Sequence, residues 1–493
     1  MLYILHISDL HRSSAEPFNN DAVLAALLSD STRYRLETPP IPRIDAIIVS
    51  GDIIQGLPIR DGAEDASLWK SELSEQYDVA YDFLCKLTDR YLGGDRSKIV
   101  IVPGNHDICW NTAFRSMAPV KSEEVKNGVF KVLSETGSLY RWSWSDLTTY
   151  KIVDPVAYSC RLDSYWTFVE KFYDGVELVR PIDRSAGYNL FEIADGRIIV
   201  AAFDSIAGND CFSFSGDFAQ DAVARCALEL HDLNRVHDLR MAVWHHSIDG
   251  PPNRQDYMDV SRIHEMIGHG FRVGLHGHQH RAAAAAHYIH LPESQAMAVI
   301  SAGSLCAGAR ELPRGVDRQY NVIALGDDLS SACLTVRQMT EGGHFARKND
   351  GRFAADGSID LSWERPLDHA GRPPDTDQLR LRQAIECAET LFAAGDPDGA
   401  LNALNDVKFS PFTYQRSLAL KLATASDKPE RILSIIESPN NVDELVQFVM
   451  ACIRTRRIEL AEKSLSLPLA SELSSALRND IENRIETFRA LNS

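Results

Sequence analysis

Ile99-Val100-Ile101-Val102-Pro103-Gly104-Asn105-His106-Asp107 decides how the rest of the chain is read. The four β-favouring residues at its start are too uniformly apolar for a half-exposed strand, so they predict a strand buried on both faces. Pro103 and Gly104 end it, and an amide, an imidazole and a carboxylate follow at once. In an α/β sheet the carboxyl ends of the strands line a crevice where ligands bind.

The same unit recurs in both directions along the chain. Leu2–Ile7 runs into Asp9-Leu10-His11, and Ala46–Val49 runs into Gly51-Asp52. Met241–Trp244 leads to His245-His246, and Phe271–Leu275 leads to His276-Gly277-His278-Gln279-His280. Further apolar runs lie at Ile198–Phe203, Ala298–Ile300 and Tyr320–Leu325, with helical patterns such as Ala66–Tyr91 and Asp217–Arg235 between them. This alternation predicts an α/β layered domain with buried sheets. The polar residues that end the strands, far apart in sequence, are expected to converge in one crevice.

Their chemistry suits metal ions. Two Asp carboxylates, one Asn carbonyl and four imidazoles, with no thiolate, favour Mn, Fe, Zn or a related divalent ion over the all-oxygen sites of Mg and Ca. Seven donors are too many for one ion, but if Asp52 bridges, each of two ions receives four protein ligands. Of the adjacent His245 and His246, only one can face the cleft from an extended segment.

These motifs and their order resemble the calcineurin-like metallophosphoesterase superfamily, whose pattern is Asp-x-His, Gly-Asp, Gly-Asn-His-Asp or Glu, a lone His and Gly-His-x-His. The resemblance covers roughly residues 1–340, with insertions at about 53–98 and 108–195. It implies a layered metallophosphoesterase β-sandwich flanked by helices. One metal would take Asp9, His11, Asp52 and His280, and the other Asp52, Asn105, His245 and His278. The family often has a Pro two residues after the lone histidine; counting back from that place, here Ser247, selects His245. By the same likeness His106 is the catalytic histidine facing the phosphate, Asp107 orients its ring, and His276 is not a ligand. Asp204-Ser205 and Gly303-Ser304 match loops that border the site.

The function so implied is hydrolysis of phosphate esters by hydroxide activated on two divalent metal ions, with Mn²⁺ expected first and Fe, Zn or Ni as alternatives. The superfamily includes phosphoprotein phosphatases, nucleotide hydrolases, cyclic-nucleotide phosphodiesterases and DNA nucleases. Protonation of a poor alkoxide leaving group by His106 favours a phosphodiesterase acting on a nucleotide or nucleic acid, a nuclease included. The alternative is a phosphomonoesterase, a protein or small-molecule phosphatase guided by the tail. A non-catalytic scaffold is disfavoured because every ligand is present.

The segment 108–195 is rich in aromatics, from Trp110 to Tyr173, and reads as a satellite core or as a cap able to stack a base. Ala282–Ala286 reads as a packed small-residue segment or a loop. From 341 to 377 Gly, Pro, Asp and Arg predominate without periodicity, the mark of a linker or a wrapping arm. From 378 to 493 the pattern is wholly helical. Its stop-and-start signals at Gly395-Asp396-Pro397, Ser426-Asp427-Lys428-Pro429 and Thr455-Arg456-Arg457 predict helical hairpins about thirty residues apart, which resemble tetratricopeptide-like solenoids. Such a tail either offers a concave surface to a protein partner or is a helical bundle that packs on the catalytic domain.

Composition bounds these readings. The 493 residues exceed one ordinary core, and 44% apolar with 24% charged residues is a soluble globular balance with no bilayer-length apolar run. Nine scattered cysteines without a Cys-x-x-Cys pair argue against a disulfide framework and a thiolate metal site. With an N-terminus unlike a signal peptide, they lead to an expected cytoplasmic location. A net charge of −18 disfavours polyanions at long range, while a local metal centre can still receive a phosphate.

Overall fold

Strands that are apolar on both faces need cover on both, and in the computed structural model two mixed sheets share one core. The structure describes all residues except 15–17, 38, 61–65, 122–124, 126–128, 134–136, 234–235, 249–255, 291–293, 309–310, 314, 349–357, 364–383, 386, 393, 406–408, 410–413, 474 and 493.

The first sheet runs Phe345–Arg347, Ser331–Met339, Gln319–Leu325, Leu2–Ile7, Ala46–Val49, Ile99–Ile101, with Ser358–Ser362 also pairing with Ser331–Met339. Leu2–Ile7, Ala46–Val49 and Ile99–Ile101 are mutually parallel. The second sheet runs Ala283–His290, Ser294–Ser301, Val273–His276, Leu239–Val243, Ile198–Phe203, Tyr188–Ile193, and its four central strands are parallel. Alternation along Ile198–Phe203 shows why such strands read as continuous apolar runs. Ile198 and Val200 enter the core shared by the sheets, whereas Ile199, Ala201 and Phe203 enter a second core with Val223, Cys226, Ile263 and Met266 of two helices. The expected layered α/β architecture is therefore what the chain adopts.

Two local expectations change. Ala283–His290 is a strand antiparallel to Ser294–Ser301, because hydrogen bonds from one central partner hold even a run of alanines in a sheet. The helix expected over 217–235 is shorter, Ala222–Asp232. The aromatics of 108–195 divide: Tyr165, Trp166, Phe168, Phe172 and Tyr173 belong to the main core. Tyr150 and Tyr158 pack instead on a small cluster around Met117 and Ile152, residues of a separate three-stranded sheet, and Trp110 packs against both cores.

Contacts divide the chain into two compact units, Met1–Arg365 and Pro366–Ser493. Of the segment expected as a linker or wrapping arm, 341–377, residues 349–357 and 364–377 lie outside the described residues, while Phe345–Arg347 and Ser358–Ser362 pair into the first sheet. The second unit has its own core around Leu401, Leu422, Leu445 and Ile481. Three of its inter-helix turns share one geometry. Gly395, Asp427 and Arg456 have φ of 83°, 56° and 61°, and in each turn the next residue's N–H bonds the carbonyl five residues back, as in Asp396 to Leu391 and Arg457 to Cys452. No helix among the described residues is long and apolar enough to cross a membrane.

Candidate metal centre

The parallel strands of both sheets end at one place. Asp9 and His11 follow Ile7, Asp52 follows Val49, Asn105 follows Ile101, His245 follows Val243, and His278 and His280 follow His276. Backbone bonds lock these ends together: Asp9 N–H donates to Gly51 O, His11 N–H to Asp52 O, and Gly277 N–H to His245 O. Asp9, His11, Asp52, His278 and His280 all hold positive φ, between 44° and 74°. Left-handed backbone costs a non-glycine residue of order 1–2 kcal/mol, and such conformations gather at functional sites where the surroundings enforce them. At Gly51, φ is 97° and a Cβ would run into the His245 ring, so glycine is required there twice over.

The structure brings together all seven predicted donors. Around one point, His280 Nε2 lies 3.1 Å from Asp9 Oδ1 and 3.3 Å from His11 Nε2, and His11 Nε2 is 3.9 Å from Asp52 Oδ2. One donor atom each from Asp9, His11, Asp52 and His280 fall within 4.8 Å of one another. Around a neighbouring point, His245 Nε2 lies 3.3 Å from Asp52 Oδ2 and 3.0 Å from Asn105 Oδ1. His278 Nδ1 lies 3.0 Å from Asn105 Oδ1 and 3.3 Å from His245 Nε2. Asp52 belongs to both groups.

The donor set fits cations. Imidazole nitrogens 3.3 Å apart, twice, with carbonyl and carboxylate oxygens beside them, aim several electron pairs at one spot; a positive charge there satisfies all of them, whereas a single proton satisfies two. The electrostatics agree. Burial works against a charged His245, but Asp52 outweighs it and pushes the pKa up to about 9. Burial likewise opposes charging of His280, and Asp9 raises it to about 9. Where imidazoles dominate the surroundings the result reverses: burial and then His106 lower His11 to about 4.

The rings are held from behind. A carbonyl accepts from Nδ1 of His245 (Ser50, 2.8 Å) and of His280 (Glu311, 2.9 Å), so the Nε2 of each presents its lone pair to the centre. His246 is fully buried but turned away, with Nδ1 3.1 Å from Ser205 Oγ and Nε2 3.2 Å from Asn209 Nδ2. His276 stacks on Trp244.

His106 meets the centre edge-on to His11, with ring centroids 4.6 Å apart. The expected contact from Asp107 to this ring is corrected: His106 Nδ1 is held by Gln55 O at 2.7 Å. The Asp107 carboxylate instead accepts from Gly104 N–H (2.8 Å), Ile53 N–H (3.2 Å) and Tyr77 OH (3.1 Å). Burial, then Asp52, push its pKa up to about 7. Asp107 thus pins the Gly104 turn to the Asp52 turn, because from a tight 3₁₀ turn its side chain reaches its own N-cap more readily than the neighbouring ring.

Gln55, Glu311 and Ser50 carried no signal in the sequence, since a backbone carbonyl has no residue type to recognise. Asp256, whose Oδ2 lies 3.7 Å from His278 Nε2, belongs to no motif either. Ser205 had been singled out; its Oγ accepts from both His245 N–H and His246 N–H.

Two mixed sheets with a shared core, flanking helices and Asp and His side chains gathered at the carboxyl edge define a layered metallophosphoesterase fold. The chain belongs to the calcineurin-like phosphoesterase family, whose model matches residues 2–282. It is accordingly placed among phosphoric ester hydrolases that use divalent metals. Similar solved structures include a dimetal phosphatase from Danio rerio (11% identity, TM-score 0.38, covering 74% of this chain and 99% of that one). A 5'-nucleotidase from Candida albicans shares 12% identity at TM-score 0.34, over 69% of this chain and 52% of that one. A calcineurin-like phosphoesterase from Bacillus subtilis shares 11% identity at TM-score 0.30, over 78% and 96%. At these scores the likenesses carry no inference about substrate. No curated protein matches the chain.

Proposed function

We propose that the chain is a dinuclear metal-dependent phosphodiesterase acting on a nucleotide or nucleic acid. In this reading Asp9, His11, Asp52 and His280 hold one divalent ion, Asp52, Asn105, His245 and His278 hold the other, and Mn²⁺ is the expected metal. The observation that carries it is the convergence of seven electron-pair donors on two adjacent points that share Asp52. When bound, two such ions neutralise phosphoryl oxygens and acidify a water.

The chain's own residues do the rest. His245 and His280 keep their lone pairs inward because Ser50 and Glu311 take the protons on their other nitrogens. His106, protonated, delivers a proton from Nε2 to the departing alkoxide, a contribution that matters for the poor leaving groups of natural diesters. Asp107 acts indirectly, by holding the turn that carries Asn105 and His106. The helical unit, with its repeated turns, serves as a tetratricopeptide-like surface for a protein partner, and a cytoplasmic location suits the nine free cysteines.

The test is turnover of bis-p-nitrophenyl phosphate against p-nitrophenyl phosphate, after chelation and after Mn²⁺ is restored. Metal-dependent hydrolysis with the diester preferred is expected. Preference for the monoester would move the assignment to a phosphatase, and turnover that survives removal of all metal would defeat it.

A further inference from the structure

Glu311 is an acidic side chain with a fixed place in this cleft that the chemistry above does not use. Its Oε1 accepts from Gln55 Nε2 at 2.7 Å and its Oε2 from Gly308 N–H at 3.0 Å. Both residues of the pair face the reacting groups through their main chains. Gln55 O holds His106 Nδ1 at 2.7 Å, and Glu311 O holds His280 Nδ1 at 2.9 Å. The carboxylate is therefore anchored between the loop that orients the proposed acid and the loop that orients a proposed ligand. Glu311 itself is solvent-exposed, and its carboxylate, although partly desolvated, lies near enough to His11 and His106 to feel their charge.

A fixed negative charge at this position discriminates by substrate charge. A phosphomonoester arrives largely as a dianion and a phosphodiester as a monoanion, so repulsion from one carboxylate raises the energy of the first about twice as much as that of the second. The exposed carboxylate contributes no ligand to the Asp- and His-based centre.

We propose that Glu311 is a specificity-determining residue that turns phosphomonoester dianions away and so biases the site toward diesters. The inference rests on reading the cleft as a phosphate-ester site. Glu311→Gln keeps the size and can still accept from Gly308 N–H, its amide N–H pairs with Gln55 once the Gln55 amide turns its oxygen toward it, and the charge is removed. Wild type and variant, both loaded with Mn²⁺, are compared on p-nitrophenyl phosphate and bis-p-nitrophenyl phosphate at low and high salt, with metal content measured in each. The monoester kcat/KM is expected to rise about tenfold relative to the diester kcat/KM, an order of magnitude consistent with one nearby unit charge. The gain should shrink at high salt, because an exposed charge is screened. Glu311→Ala should shift the ratio in the same direction even if lost bridging lowers both absolute rates. An unchanged ratio in a fully metal-loaded Glu311→Gln, or equal losses on both substrates, would overturn the proposal and leave the pair a structural tie. A wild-type protein that hydrolyses neither ester would defeat the phosphoesterase reading as well, which separates the two failures.

Discussion

His106 donates its Nδ1 proton to the backbone carbonyl of Gln55 across 2.7 Å. A carbonyl only accepts, so the tautomer is fixed, and the neutral ring has a bare Nε2. Only the imidazolium has a proton at Nε2 to give. The backbone N–H of the same residue donates to Asp52 Oδ1 at 2.9 Å, so the ring is carried by the turn that touches the shared carboxylate.

His106→Ala or His106→Asn should therefore leave metal content near wild type while slowing a diester with a poor leaving group by roughly 10²–10⁴-fold. A good leaving group needs little protonation and should suffer less. Equal losses on both would remove the acid role, and a missing metal ion would make His106 a ligand instead.

Asp107→Asn separates the two ways a neighbouring carboxylate can act. Because Asp107 pins the turn through Gly104 and Ile53 and does not touch the His106 ring, its loss should lower rates on good and poor leaving groups by similar factors. A loss confined to poor leaving groups, measured across a series of aryl diesters, would restore Asp107 to the role of ring partner.

Much of this was legible in the sequence for a physical reason. Strands buried on both faces, such as Ile198–Phe203, must be apolar throughout, and polar residues at their ends then stand out. The alanine strand at 283–290 was not legible, since its place is set by pairing with Ser294–Ser301 and not by side-chain preference. The backs of the histidines were invisible for a related reason: Ser50, Gln55 and Glu311 act through carbonyls that every residue possesses.

Asp52 stands between both donor groups, so Asp52→Asn should impair activity more than any other single donor change. Metal analysis of the variant should find both ions weakened. His245→Ala should empty the position shared with Asn105 and His278, whereas His246→Ala should mainly loosen the buried contacts to Ser205 and Asn209. Retention of both ions in His245→Ala together with loss of one in His246→Ala would reverse the assignment.

The helical unit provides a test that does not involve the centre. Arg416 grips Glu444 with two bonds, Nε to Oε1 at 2.8 Å and Nη2 to Oε2 at 3.0 Å, and its Nη1 also donates to Ile435 O. Both residues are buried, at 5% and 7% exposure. Breaking such a pair by removing one partner strands the other charge, so Arg416→Met should destabilise this unit by about 3–5 kcal/mol. Burial opposes ionisation of Glu444, but Arg416 and Asn440 outweigh it and lower its pKa below the ordinary Glu value. A carboxyl lowered on folding contributes stability that is present above the unfolded pKa, about 4.3, and is lost as pH falls through the folded value. The wild-type unit should thus lose stability on acidification below that range. Glu444→Gln should start weaker at neutral pH and lose less on acidification, as followed by denaturant unfolding of the full chain. Hydrolysis of a small chromogenic diester should be nearly unchanged in both variants, because residues 2–282 carry every proposed ligand. A variant that unfolds in the tail and also loses its metal would show that the helical unit helps to build the centre.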